Sequence, residues 1–153
     1  MAHLEALKET ATVWPPAVNQ VEMHPYFAQE ELAAYCEREG ILLQAYASLG
    51  GQDAPKKHWE ALGGRLLEAE TVVRAASAAG GDATPAQVLL RWALERGAAV
   101  IPKTVSAARL SENAGALDVK LPPETVRELS AMDRGGEGRL CWRADPLRML
   151  DFE

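Results

Sequence analysis

Two cations, Lys103 and Arg109, flank a predicted helix start, with hydroxyl residues Thr104 and Ser106 between them. The apolar run over 98–101 reads as a buried strand that Pro102 and Lys103 close. Ser106 is the predicted cap of a helix over 107–114. A strand end facing the free N–H groups of a helix start, with cations beside it, makes a seat for a phosphate. Glu112 and Asn113 stand three and four residues beyond Arg109, so all three lie near one helix face. From the residues alone, that helix is either such a seat or a solvated surface helix with an internal Arg109–Glu112 pair.

A second group is polar where a buried strand should be apolar. Asn19, Gln20 and Glu22 interrupt the run over 17–23. Burying an unpaired amide costs roughly 1–3 kcal/mol, so these side chains need partners or an opening to ligand. Asn19 and Glu22 are expected to pair with neighbouring loops at the sheet rim. Gln20 is the ligand candidate, because an amide matches another amide as both donor and acceptor. Tyr46 ends a second apolar strand, over 41–47. It is either core or a face on which a flat ring can stack.

The elements that must position these residues alternate. A helix over 2–11 precedes the first strand, and Pro15-Pro16 ends it. The spacing predicts a helix over 30–39, with Leu32, Tyr35 and Cys36 on one face, Ala28 at the cap position and Gly40 after its end. The stretch 50–64 reads as a mobile loop or flap. A helix over 66–79 is expected to turn Val72, Val73 and Ala76 inward. Thr84-Pro85-Ala86-Gln87 satisfies the rules for a capping box with proline in the first turn, and Val88, Leu89, Trp92 and Ala93 form the following buried stripe. A strand over 98–103, helices over 107–114 and 122–133 and an irregular tail over 137–153 complete the reading. Strands separated by helices predict a parallel α/β sheet, and their apolarity predicts cover on both faces.

Length and composition set outer bounds. A chain of 153 residues is one domain as a prior. A formal net charge of -6 argues against nucleic acid and against anionic membrane surfaces as partners. No apolar run is long enough to span a bilayer, and the first residues lack the apolar block of a signal peptide. Cys36 and Cys141 fit neither a disulfide framework nor a zinc spacing, and His3, His24 and His58 have no metal-ligand spacing. The expected setting is cytoplasmic, with no metal.

Several motifs in order resemble the aldo-keto reductases. They are Pro16-Ala17-Val18-Asn19-Gln20-Val21-Glu22-Met23-His24-Pro25-Tyr26, then Ala45-Tyr46 with Leu49-Gly50, then Thr84-Pro85-Ala86-Gln87-Val88-Leu89-Leu90-Arg91-Trp92, and lastly Ile101-Pro102-Lys103-Thr104-Val105 with Glu112-Asn113. The likeness runs from about residue 2 to about residue 143. It implies an α/β fold, part of a TIM (β/α)8 barrel: the last three strands with their helices and the C-terminal tail. It implies an oxidoreductase that reduces aldehydes or ketones to alcohols with NADPH. By that likeness Gln20 would bond the nicotinamide carboxamide, Tyr46 would stack on the nicotinamide ring and Leu49 would line the pyrophosphate passage. Lys103, Thr104 and Arg109 would hold the adenosine 2′-phosphate, with Val105 and Ser106 at the same end. Glu112 and Asn113 would bind adenine. Asp53 would be a loop acid that pairs with Lys103, and Trp142 would shape the substrate pocket.

Two departures thin the cofactor clasp: Ala47 and Gly51 stand where such chains often carry serine. The catalytic tyrosine of the family, with its Lys, Asp and His, matches no residue here. The chain is therefore expected to hold the cofactor side of the site, to lack the proton donor and to be inactive alone, acting on a small carbonyl substrate only when the missing half completes it. The alternative is a non-catalytic half-barrel module that self-associates through its open edge or complements an N-terminal half.

Overall fold

The computed structural model describes residues 1–51 and 54–141. Its three strands form one parallel sheet in the order β1 (Val18–Glu22), β2 (Leu42–Tyr46), β3 (Ala99–Val100). The register sets Gln20 opposite Gln44 and Glu22 opposite Tyr46, and Ala45 opposite Val100. Helix α1 is Ala2–Thr10, α2 Glu30–Glu39, α3 Lys56–Ala61, α4 Glu70–Ala79, α5 Pro85–Glu95, α6 Ala107–Ala114 and α7 Pro123–Ser130. The α/β alternation is as the sequence predicts.

Alternation along the strands decides which face is covered. Leu43 and Ala45 of β2 are buried in the same cluster as Tyr35 of α2, Val72 of α4, Trp92 of α5 and Leu129 of α7. The opposite face holds Val18, Leu42 and Ile101, which are 44%, 46% and 42% exposed. The expectation of a sheet covered on both faces therefore fails within this chain, because the helical layer packs on one side. The core itself rests on α5. Its capping box forms as expected: Thr84 Oγ1 accepts from Gln87 N–H, and Gln87 Oε1 accepts from Thr84 N–H. Trp92 is fully buried and donates its indole N–H to Ser130 Oγ at 3.0 Å.

Four local readings are corrected. The predicted helix over 66–79 is a 3-10 turn, Leu66–Glu68, then an extended Ala69, then α4. Leu66 and Val72 are both fully buried. At about 100° per residue they would point in different directions on one continuous helix, so the chain breaks to bring both inward. Val73 is exposed and Ala75 takes its inward place. The cap of α2 is Gln29 in a left-handed conformation rather than Ala28, whose N–H instead reaches Asp133 Oδ1 at 3.1 Å. The stretch 50–64 contains α3, which is anchored by buried Trp59: its indole N–H donates to the Gly50 carbonyl at 3.3 Å, and Arg65 stacks over its ring. The last strand is shorter than the predicted 98–103. Pro102 has no N–H for a ladder, and pairing stops at Val100.

Candidate cofactor cleft

Beyond the C-terminal ends of β2 and β3 the loops enclose a cleft of about 1100 Å³. That end of a parallel sheet is where ligands bind in α/β folds. Tyr46 and Leu49 line it from the end of β2, Lys103 and Thr104 from the segment after β3, and Arg109, Glu112 and Asn113 from α6. Seven of the ten predicted site residues thus share one cavity.

The other three lie outside its lining. Val105 points into solvent, 95% exposed. Ser106 is spent on the helix: its hydroxyl accepts from Arg109 N–H, while its own N–H donates to Thr104 Oγ1 at 3.1 Å. Gln20 sits on the same sheet face as Tyr46, one pair deeper in the register. Its amide donates to Gln44 Oε1 at 2.6 Å, so the amide-for-amide match is met by the neighbouring strand. Asp53 and Trp142 fall outside the described residues.

Charge in the cleft is divided. Lys103 and Arg109 supply positive charge, and the N–H groups at the start of α6 add to it. Among the described residues no ion pair joins Arg109 to Glu112, so that part of the surface-helix reading is not what forms. Glu112 is held from the other side: Thr84 Oγ–H donates to its Oε1 at 2.7 Å, and Gln87 Nε2 donates to its carbonyl at 2.9 Å. Burial raises the pKa of Tyr46 above the ordinary tyrosine value, the nearby Glu22 and Cys141 act in the same direction, and Arg139 opposes them. Its ring is therefore neutral across the physiological range, as a stacking face requires.

Glu22 is satisfied by a loop, as expected, but the loop is a wall of the cleft. Its carboxylate accepts from Leu140 N–H at 2.7 Å, from Cys141 N–H at 3.0 Å and from His24 Nε2 at 3.0 Å. Asn19 has a weaker partner, Cys36 Sγ at 3.8 Å. Leu140 and Cys141 also line the cleft, and so do Thr84, Pro85 and Ala86 around the start of α5. None of these five was predicted as a site residue. The capping-box signature marked Thr84, but nothing in the linear sequence says that its hydroxyl proton reaches Glu112. The absence of serine at Gly51 also has a packing reason: with φ +55, an added Cβ would stand 3.1 Å from Cys141 Sγ and 3.2 Å from Leu140 Cβ.

The family model for the aldo/keto reductases matches residues 1–134. The chain belongs to the aldo/keto reductase family. This aldo/keto reductase chain is 41% identical over 120 residues to an aldo/keto reductase of Synechocystis sp., covering 78% of this chain and 36% of that protein. It is 42% identical over 120 residues to a probable NAD(P)H-dependent D-xylose reductase of Arthroderma otae, covering 78% of this chain and 37% of the relative. Human aldo-keto reductase family 1 member A1 is 39% identical over 119 residues, covering 78% of this chain and 35% of its own length. The crystal structure of apo Gox0644 superposes with a TM-score of 0.77 at 34% identity, over 95% of this chain and 47% of that one. This aldo/keto reductase chain therefore spans a little over a third of the curated relatives it matches.

Proposed function

We propose that this chain forms the cofactor side of an NADPH-dependent carbonyl reductase site. The observation that carries the reading is the gathering of Tyr46, Leu49, Lys103, Thr104, Arg109, Glu112 and Asn113 around one cleft. The donor set fits a phosphorylated dinucleotide. Two cations and the Thr104 hydroxyl suit a phosphate, a neutral aromatic face suits a flat ring, and the Glu112 carboxylate suits an N–H donor. In this reading Lys103, Thr104 and Arg109 hold the 2′-phosphate, Leu49 faces the pyrophosphate and Tyr46 stacks on the nicotinamide, while Gln20 stays with Gln44 outside the lining. When bound, NADPH supplies the hydride for an aldehyde or ketone. The alkoxide that forms also needs a proton donor within hydrogen-bond reach. None of the chain's tyrosines is assigned that part: Tyr26 and Tyr35 lie in the core away from the cleft, and Tyr46 presents its ring. The chain by itself binds cofactor and does not turn over.

Titration of NADPH against tryptophan fluorescence tests this. Lys103→Ala and Arg109→Ala are each expected to weaken binding by about ten- to a hundredfold, the size of a lost charge-assisted bond. NADH, without the 2′-phosphate, is expected to lose far less. Equal NADPH affinity in the wild type and both variants would remove the phosphate seat.

A second reading is favoured by the exposed face carrying Val18, Leu42 and Ile101, large apolar side chains left in water where the helical layer does not reach. Here the chain is a half-barrel that associates with another copy. Light scattering then gives a mass of twice the 16.6 kDa chain; a concentration-independent monomer contradicts it.

A further inference from the structure

We infer that Glu22 is a positioning residue for the ring end of the cleft: it does not border the cavity, but it fixes the Leu140–Cys141 wall beside Tyr46. This rests on the nucleotide reading above, which places a flat ring at Tyr46. Glu22 is 2% exposed and stands opposite Tyr46 in the register, so both side chains leave the sheet on one face. A buried carboxylate is costly unless its oxygens are met by donors. Here Oε1 accepts from Leu140 N–H at 2.7 Å and from His24 Nε2 at 3.0 Å, and Oε2 accepts from Cys141 N–H at 3.0 Å. Arg139 Nε stands 4.0 Å from Oε2 and donates to the Cys141 carbonyl at 3.1 Å. Three successive residues, 139–141, thus converge on one carboxylate.

The wall it holds is packed from two sides. Leu140 and Cys141 line the cleft together with Tyr46 and Gly51. An added Cβ at Gly51 would stand 3.1 Å from Cys141 Sγ and 3.2 Å from Leu140 Cβ, so the segment has no slack there. On its other side the Glu22 carboxylate takes both backbone N–H groups. The cation seat is built by different elements. Lys103 and Thr104 come from the segment after β3 and Arg109 from α6, and none of the bonds at Glu22 reaches them. Loosening Glu22 therefore acts on one end of a bound dinucleotide and spares the other.

The donor inventory says which variants separate these effects. A carboxylate only accepts, so it suits two backbone N–H groups at once. Glutamine keeps the shape of Glu22, but one of its two positions carries an NH2 group. Whichever way the amide turns, that group faces the N–H of Leu140 or of Cys141. Aspartate keeps the charge and is shorter by a methylene, so its carboxylate draws back from the wall. A loss shared by both variants comes from reach and bonding rather than from charge.

The experiment compares Kd for NADPH and for adenosine 2′,5′-bisphosphate, which carries the adenosine and its phosphate but no nicotinamide, in the wild type, Glu22→Gln and Glu22→Asp. Both variants are expected to bind NADPH about tenfold more weakly, the scale of one hydrogen bond to a charged group, and the bisphosphate within about twofold of the wild type. A merely structural role would lower both affinities together and leave their ratio alone. Retention of the wild-type ratio in either variant overturns the inference. Amide hydrogen exchange in the wild type keeps the test open should the variants not fold. The Leu140 and Cys141 amides are expected to be protected in the free protein, and to be slowed further by NADPH but not by the bisphosphate. Exchange there at the rate of an open chain, or equal slowing by the two ligands, overturns the inference. A wild type that binds both ligands equally also overturns it and leaves the phosphate seat standing. One that binds neither removes the nucleotide reading, and the inference with it.

Discussion

Replacement of Glu22 by alanine is expected to lower the free energy of unfolding by about 3–5 kcal/mol, the range for removing one partner from a buried charged cluster. Glu22 is almost fully buried, and three donors converge on it: the N–H groups of Leu140 and Cys141 and the His24 ring. Alanine leaves all three without an acceptor. Leu140 is itself buried, so water does not readily replace the carboxylate there. Small domains have only about 5–15 kcal/mol to lose, so the variant stands near the limit of folding. Urea unfolding followed by circular dichroism measures the change. A loss under about 1 kcal/mol would mean that the segment 139–141 holds its place without Glu22.

Substitution of Gly138 by alanine is expected to act on the same contact from the other end. An added Cβ at Gly138 would fall 1.6 Å from the Tyr26 carbonyl oxygen and 2.6 Å from its carbon. Both are backbone atoms and do not rotate away. The Tyr26 carbonyl is further tied by Arg134 N–H at 3.0 Å, and the bridge between His24 and Phe27 closes the chain around it. The turn Gly135–Gly138 must lift instead, drawing the Leu140 and Cys141 N–H groups off the Glu22 carboxylate. A loss of about 3 kcal/mol is expected, at the upper end for overpacking. Since both changes break one contact, the double variant should lose less than the sum of the two, by at least about 1 kcal/mol in a double-mutant cycle. Strict additivity would show that Gly138 and Glu22 act separately.

How far the sequence was legible depended on the range of the determining interaction. The caps at Thr84 and Ser106 and the glycine end of α2 are set within four residues, and they form where predicted. The strands are legible in position but not in face: Leu43 and Ala45 are buried while Leu42 is exposed, where apolarity on both sides predicted cover for both. What fails is set at a distance. Leu66 is drawn inward against Gly50, a contact that breaks the expected 66–79 helix. The cap of α2 falls at left-handed Gln29, beside an Ala28 whose N–H bonds Asp133, over a hundred residues away. The cleft follows the same rule. Lys103, Arg109 and Glu112 belong to one strand–helix junction and could be grouped from their spacing. Leu140 and Cys141 reach the cleft from far along the chain, held by their N–H bonds to Glu22, and no periodicity announces that meeting.

The early end of β3 has a consequence for how this scaffold diverges. Pairing with β2 stops at Val100, so Lys103 and Thr104 hold no ladder bond and carry none of the sheet's stability. Substitutions at Lys103 escape the filter of strand pairing and of the core around Trp92, while Thr104 answers only to its local bond with Ser106 N–H. Descendants of such a sequence can drift from one dinucleotide to another through two or three loop positions, while the strands behind them stay as they are.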